Sequence, residues 1–238
     1  MGSIGTAYST NAGDIIYRFS GDSTSADGWS FQNQVENDRI EQFFLRYSNV
    51  DKLISDMTED QKAAFKIWTD GDLSTSSVLN DWNALDDLDR NVFRNLDSVL
   101  DKATLNKGIE VVSFSNPQIL LEKGQSISQL KNMEGKDVTI RSYMSFSAAN
   151  SGLHIGRENS SEEKQVEYRM EIPGGKISTG AGMWVGDSRI NRWNNTQREF
   201  LTNRDISVHV SKVFYDVSKD KYVVTLKYLT RLPHDYGK

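Results

Sequence analysis

The chain has 238 residues, 37% of them hydrophobic and 26% charged, with 28 Lys and Arg against 33 Asp and Glu for a formal net charge of −5. That is the composition of a folded chain long enough to bury a sizeable core; its cations are spread rather than gathered into a basic stripe, so no nucleic-acid partner is expected. The lack of cysteine rules out disulfides, thiolate nucleophiles and Cys-ligated metals and leaves the compartment open, and no apolar run approaches the ~20 residues of a membrane helix, so no membrane partner is expected.

Residues 1–35 are polar and rich in Gly and Ser around one apolar island, Ile15-Ile16-Tyr17. They read as an N-terminal arm with one short strand, ahead of a single domain over 36–238. No basic n-region and no apolar h-region open the chain, so no signal peptide is visible. From Glu36 to about Ala103 the pattern is helical. "NDRIEQFFLRY" puts Ile40, Phe43 and Phe44 on one face. Thr58 and Gln61 are spaced as a capping box, with Ala64, Ile67 and Trp68 behind it. Leu85, Leu88, Val92, Leu96, Val99 and Ala103 then form one stripe with the Asp residues mostly opposite.

After Gly108 the period changes to short β-branched and aromatic runs broken by Gly, Asn, Asp and Pro: "IEVVSF", "VTIRSYMSFSA", "VEYRMEI", "GAGMWVGD", "REFLTNRDISVHVSKVFYD" and "YVVTLKYLTRL". Only "NPQILLEKGQSISQLKNM" between the first two reads as helical. Helices followed by strands predict an α+β fold with a mostly antiparallel sheet.

Several chemistries lack their signatures. The histidines 154, 209 and 234 have no metal-ligand spacing, so no metal is expected. No GxSxG elbow is present. The Gly-rich "IPGGKISTGAGMWVGD" lacks the spacing of a phosphate loop. What remains is an ordered series on strands: "IEVVSF", "SYMSFSAA", "GAGMWVG", and "REFLTNRD" entered from "DSRINRWNNTQ". In an extended chain Gln197 and Glu199 share a face while Arg198 points the other way. Taken singly each run is also ordinary sheet; the order and spacing carry the argument.

This series resembles the mono-ADP-ribosyltransferases of the bacterial-toxin type, over roughly residues 36–230. Their signature is an arginine on a first strand, a Ser-Thr-Ser strand, and a loop ending in Glu-x-Glu or Gln-x-Glu. "YMSFSA" stands at the serine strand, with Ser145 and Ser147 matching the two serines and Phe146 the middle residue. "QREFL" matches Gln-x-Glu. The resemblance implies helices packed on a split sheet whose cleft binds NAD as substrate. It makes Glu199 the catalytic carboxylate, set against the ribose 2′-hydroxyl as the nicotinamide bond breaks through an oxocarbenium-like state. Ser145 would hold Glu199, and Ser145 and Ser147 would line the cofactor site. Gln197 would direct the acceptor, its amide going with targets other than arginine. Trp193 either docks on a target protein or packs the loop down.

The chain departs from the pattern at one place. The family's arginine, which grips the NAD phosphates, is expected at or near Ser113, and residues 95–140 contain no arginine. Three readings stay open: Arg141 or Arg18 (in the aromatic-Arg setting "IIYRFSG") supplies the charge; Ser113 is an inactivating substitution; or the chain is a degenerate member that only binds. The expected function is transfer of ADP-ribose from NAD to a side chain of a host protein, by a toxin or phage product secreted or delivered into a host cell. The alternatives are a catalytically silent binding module and an NAD glycohydrolase.

Overall fold

The computed structural model describes residues 6–9, 15–19, 31–70, 82–122, 124–148, 153–154, 166–191 and 198–237. Four α-helices are found among them: α1 Phe31–Tyr47, α2 Val50–Asp56, α3 Glu59–Thr69 and α4 Asp87–Leu100. On α1, Ile40, Phe43 and Phe44 are fully buried, as their spacing requires. The capping box at the head of α3 is formed: Thr58 Oγ1 accepts from the Gln61 amide at 3.2 Å and Gln61 Oε1 from the Thr58 amide at 2.9 Å.

α4 buries Val92, Phe93, Leu96, Val99 and Leu100, but Leu88 of the predicted stripe is 69% exposed. At 3.6 residues per turn Leu88 lies ~80° around the helix from Leu96, and Phe93 and Leu100 widen the buried face on the other side. The helix expected over "NPQILLEKGQSISQLKNM" is replaced by two 3-10 segments, Pro117–Ile119 and Ile127–Met133. Gly124, at φ 90°, breaks the run between them, because a left-handed residue ends helical hydrogen bonding.

The strands are β1 Thr6–Ser9, β2 Ile15–Arg18, β3 Gly108–Ser115, β4 Asp137–Ile140, β5 Met144–Ser147, β6 Leu153–His154, β7 Val166–Ile172, β8 Gly182–Trp184, β9 Glu199–Thr202, β10 Ile206–Asp216 and β11 Lys221–Arg231. They run in the order β4-β10-β11-β7-β3-β5-β9-β8. β7 lines one edge of β3 from Ile109 to Ser115, so β2, β5 and β6 share the other edge. Pairing is antiparallel except for β11–β7, β2–β3 and β3–β6. The predicted α+β architecture with a mostly antiparallel sheet is what the chain adopts.

Two details position the site. β5 meets β3 only at Val112↔Ser147, and there the sheet divides into a β3 half and a β5-β9-β8 half. The N-terminal segment contributes two strands where one was expected. Of these, β2 lies parallel beside the start of β3, its Tyr17 packed on Phe43 and Tyr47 of α1.

Candidate active site

β9 begins at Glu199, and its two faces are sorted by packing. Phe200 and Trp184 of β8 both stack on Phe44 of α1, with ring centroids 5.8 and 5.7 Å from it. Strand alternation therefore turns Glu199 to the opposite face. There its side chain is buried, and Oε1 accepts a 2.5 Å hydrogen bond from Ser145 Oγ on β5. The indole of Trp68, in the last turn of α3, donates from Nε1 to the same oxygen at 3.3 Å and to Ser145 Oγ at 3.4 Å. Trp68, expected only in an apolar stripe, thus makes a polar contact that its helical spacing does not show. The available signal was chemical: an indole N–H near the core needs an acceptor, and a buried carboxylate is one.

Burial raises the Glu199 pKa above the ordinary carboxylate range, and the bonds from Ser145 and Trp68 pull part of the way back. The contrast with the other buried carboxylates is informative. Glu110 pairs with Arg18 and Arg169, Glu167 with Arg169 and Lys219, and Asp97 with Arg204. Among the described residues, the partners of Glu199 are neutral.

The support behind Trp68 is rigid. Its ring meets Tyr143 edge-on at 5.2 Å. Tyr143 donates to Asp97 of α4 at 2.5 Å, and Arg204 grips that carboxylate through Nε (3.1 Å) and Nη2 (2.8 Å). Residues after β11 close the cluster: Tyr236 Oη donates to Asp97 at 3.0 Å, and His234 lies 3.2 Å from Asp205 and 2.9 Å from Asp101. Burial pulls the His234 pKa down, but its bonds to Asp101 and Asp205 and the charge of Asp97 outweigh that and raise it to about 9.

Arg198, directly before Glu199, has φ 51°, a left-handed conformation that disfavours a β-carbon. It is held there at both ends. Its carbonyl accepts from the Ala148 amide at 2.9 Å, and its Nε reaches Asn37 Oδ1 of α1. Arg198 thus points away from Glu199, as expected. The alternation that would place Gln197 beside Glu199 applies to an extended residue 198, which Arg198 is not. Gln197 and Trp193 themselves lie outside the described residues.

Ser145 and Glu199 are brought into contact. Ser147 sits directly across β5–β9 from Glu199, and its other neighbour on the row is Val112. Ser113 is buried on the alternate face of β3, paired with Tyr168 and Leu153. The β3 residue that shares a row with Ser147 and Glu199 is therefore Val112. Arg141 is an exposed residue 3.7 Å from Asp205, and Arg18 pairs with Glu110.

The family model for ADP-ribosyltransferase exoenzymes matches residues 45–231. No curated protein matches the chain. Among solved structures, C3stau2 from S. aureus, determined with NAD, superposes with a TM-score of 0.61 at 16% identity, covering 81% of this chain and 95% of that one. The Clostridium limosum C3 exoenzyme gives 0.62 at 16% identity over 90% and 98%. BECa, an ADP-ribosylating toxin of C. perfringens determined with NADH, gives 0.63 at 14% identity over 94% of this chain and 54% of that one. With the family match running from the end of α1 to the end of β11, the chain belongs to the ADP-ribosyltransferase exoenzyme family.

Proposed function

We propose that this protein is an NAD-dependent mono-ADP-ribosyltransferase acting on a side chain, other than arginine, of a host protein. The observation that carries the reading is Glu199: a buried carboxylate with a raised pKa whose described partners, Ser145 and Trp68, are neutral. A carboxylate held in that way gains most when positive charge develops beside it, which is the condition for stabilising a transition state more than a ground state.

In the reaction the C1′–N bond of NAD breaks, nicotinamide leaves with the bonding pair, and the ribose carries oxocarbenium character until the acceptor's heteroatom bonds to C1′ and releases its proton. Glu199 takes the ribose 2′-hydroxyl as a hydrogen-bond donor. Both described bonds to its carboxylate fall on Oε1, which leaves Oε2 for the sugar. Ser145 and Trp68 fix the plane of the carboxylate. Gln197 is assigned to orient the acceptor, Trp193 to contact the target, and Ser147 to line the nucleotide site. Residues 36–238 act as one catalytic domain, to whose sheet the N-terminal arm adds β2.

The test is incubation with NAD labelled on its adenylate half, with and without a host-cell lysate, beside Glu199→Gln. Label on lysate protein that vanishes in the variant is the expected result. Label released only as free ADP-ribose would make the protein an NAD glycohydrolase. Parent and variant alike leaving NAD intact would mean a silent binding module.

A further inference from the structure

The pyrophosphate of NAD carries two negative charges, and β3 presents Val112, not a cation, on the row with Ser147 and Glu199. Extending that row past β3 gives a cation at once. Arg169 of β7 is the cross-strand partner of Val112, so Arg169, Val112, Ser147 and Glu199 are consecutive neighbours on four strands. Contacts fix the face on either side of the split. Arg169 reaches Glu110, two residues from Val112 on β3, and Ser145, two residues from Ser147, reaches Glu199.

A second arginine arrives from the opposite edge of β3. β2 pairs Tyr17 with Ile109, which brings Arg18 level with Glu110, one pleat (about 6.8 Å) along β3 from Val112. Its Nη2 donates to Glu110. Arg18 and Arg169 thus flank β3 from its two edges, Arg18 bonded to Glu110 and Arg169 bonded to Glu167 with Glu110 at 3.6 Å. Both line a groove of about 430 Å³ over β7, β11 and β10, whose other charged residues are Glu110, Glu167, Glu171, Asp216, Lys212 and Lys219; Ser147 and Glu199 lie along the row beyond it.

We propose that Arg18 and Arg169 form a two-armed clamp for the NAD pyrophosphate, in place of a single arginine on β3; this rests on the NAD reading above. Each guanidinium has five N–H donors and need not leave its carboxylate to accept a phosphate. Nε of Arg18 is buried without a hydrogen-bond partner among the described residues. Glu167 keeps Lys219 at 3.2 Å when Arg169 turns toward a ligand. Arg141 is paired with Asp205, at 3.7 Å.

The experiment is calorimetric titration of the parent, Arg18→Lys, Arg169→Lys and the double variant with NAD and with ADP-ribose, which has the pyrophosphate but no nicotinamide. Lysine keeps a charge opposite Glu110, so folding is preserved, and loses the fork; parent-like Tm checks this. An Arg169→Gln/Glu110→Gln protein serves as a second form if it does not. The expected result is a rise in Kd of ~10-fold for each single variant and more for the double, equal for NAD and ADP-ribose. A folded double variant that binds both ligands like the parent overturns the clamp and leaves the NAD reading standing. So does one that weakens for NAD alone. A parent that binds neither ligand at millimolar concentration overturns the NAD reading itself.

Discussion

Replacing Trp68 by Phe removes the indole N–H together with the pyrrole ring and keeps one aromatic ring in place. The phenyl ring retains the edge-on packing against Tyr143, at 5.2 Å in the parent. The lost donor served two acceptors, Glu199 Oε1 at 3.3 Å and Ser145 Oγ at 3.4 Å, both at the long end for an N–H···O bond. Such a bond contributes ~0.5–1.5 kcal/mol, and at ~1.36 kcal/mol per tenfold in rate this predicts a fall in kcat of ~2–12-fold. The pH profile supplies an independent reading. The indole bond lowers the Glu199 pKa against the rise that burial imposes, so its loss raises that pKa further. Activity that requires ionised Glu199 is then lost at a higher pH on acidification. The assay is nicotinamide release from NAD without acceptor, run from pH 4 to 9 with Tm measured in parallel. An unchanged kcat with an unmoved acid limb would refute the role assigned to Trp68.

Ser145→Ala removes the 2.5 Å bond to the carboxylate, worth ~1.5–3 kcal/mol, and is expected to lower kcat ~10–100-fold in the same assay, with a lower Tm because the buried carboxylate loses a donor. Glu199→Gln abolishes turnover yet raises Tm at pH 7, because a carboxylate whose folded pKa is raised destabilises the fold wherever it is ionised; the gain should vanish in thermal scans below the ordinary carboxylate range. His234 gives the opposite pH dependence: its pKa rises from 6.5 to about 9 on folding, so its contribution is full below pH 6.5 and is lost as pH climbs through 9. Tm measured from pH 6 to 10 should therefore fall more steeply for the parent than for His234→Gln, and parallel curves would dismiss the cluster around Asp97, Asp101 and Asp205.

Local patterns in the sequence reported local structure well. Ile40, Phe43 and Phe44 lie where a 3.6-residue period puts them, and the capping box opens α3 at Thr58. The approach of Ser145 to Glu199 was legible because motif order fixes which strands meet. Register was not legible. Period-2 alternation makes Ser113 and Val112 opposite in orientation, and a one-residue ambiguity on β3 exchanges the residue facing the site. Trp68 was hidden for another reason. Its contact spans 131 residues of sequence, and nothing in "AAFKIW" distinguishes an indole facing a carboxylate from one facing other apolar groups. Leu88 failed through helix geometry, its stripe drifting off the buried face within two turns.

The buried charges show where this fold departs from ordinary economy. Isolating a carboxylate from water is expensive unless a cation or several donors compensate, and removing one partner of a buried pair costs ~3–5 kcal/mol. Asp97 obeys that rule in full, with Arg204 bonded at two nitrogens and Tyr143 and Tyr236 on the remaining lone pairs. Glu110 and Glu167 obey it with two cations each. Glu199 does not, and it alone of these stands beside a left-handed non-glycine residue, Arg198. Two independent costs, a carboxylate with neutral partners and a disfavoured backbone angle, fall on adjacent residues at the point where the sheet divides. Packing does not require either: a glutamine would fill the same volume and satisfy Ser145 and Trp68 without the charge. Such coincident departures from local rules persist where the chemistry uses them. What would relieve both the charge and its raised pKa is a cation that is absent at rest and present in the transition state, which is the demand an oxocarbenium-like ribose makes.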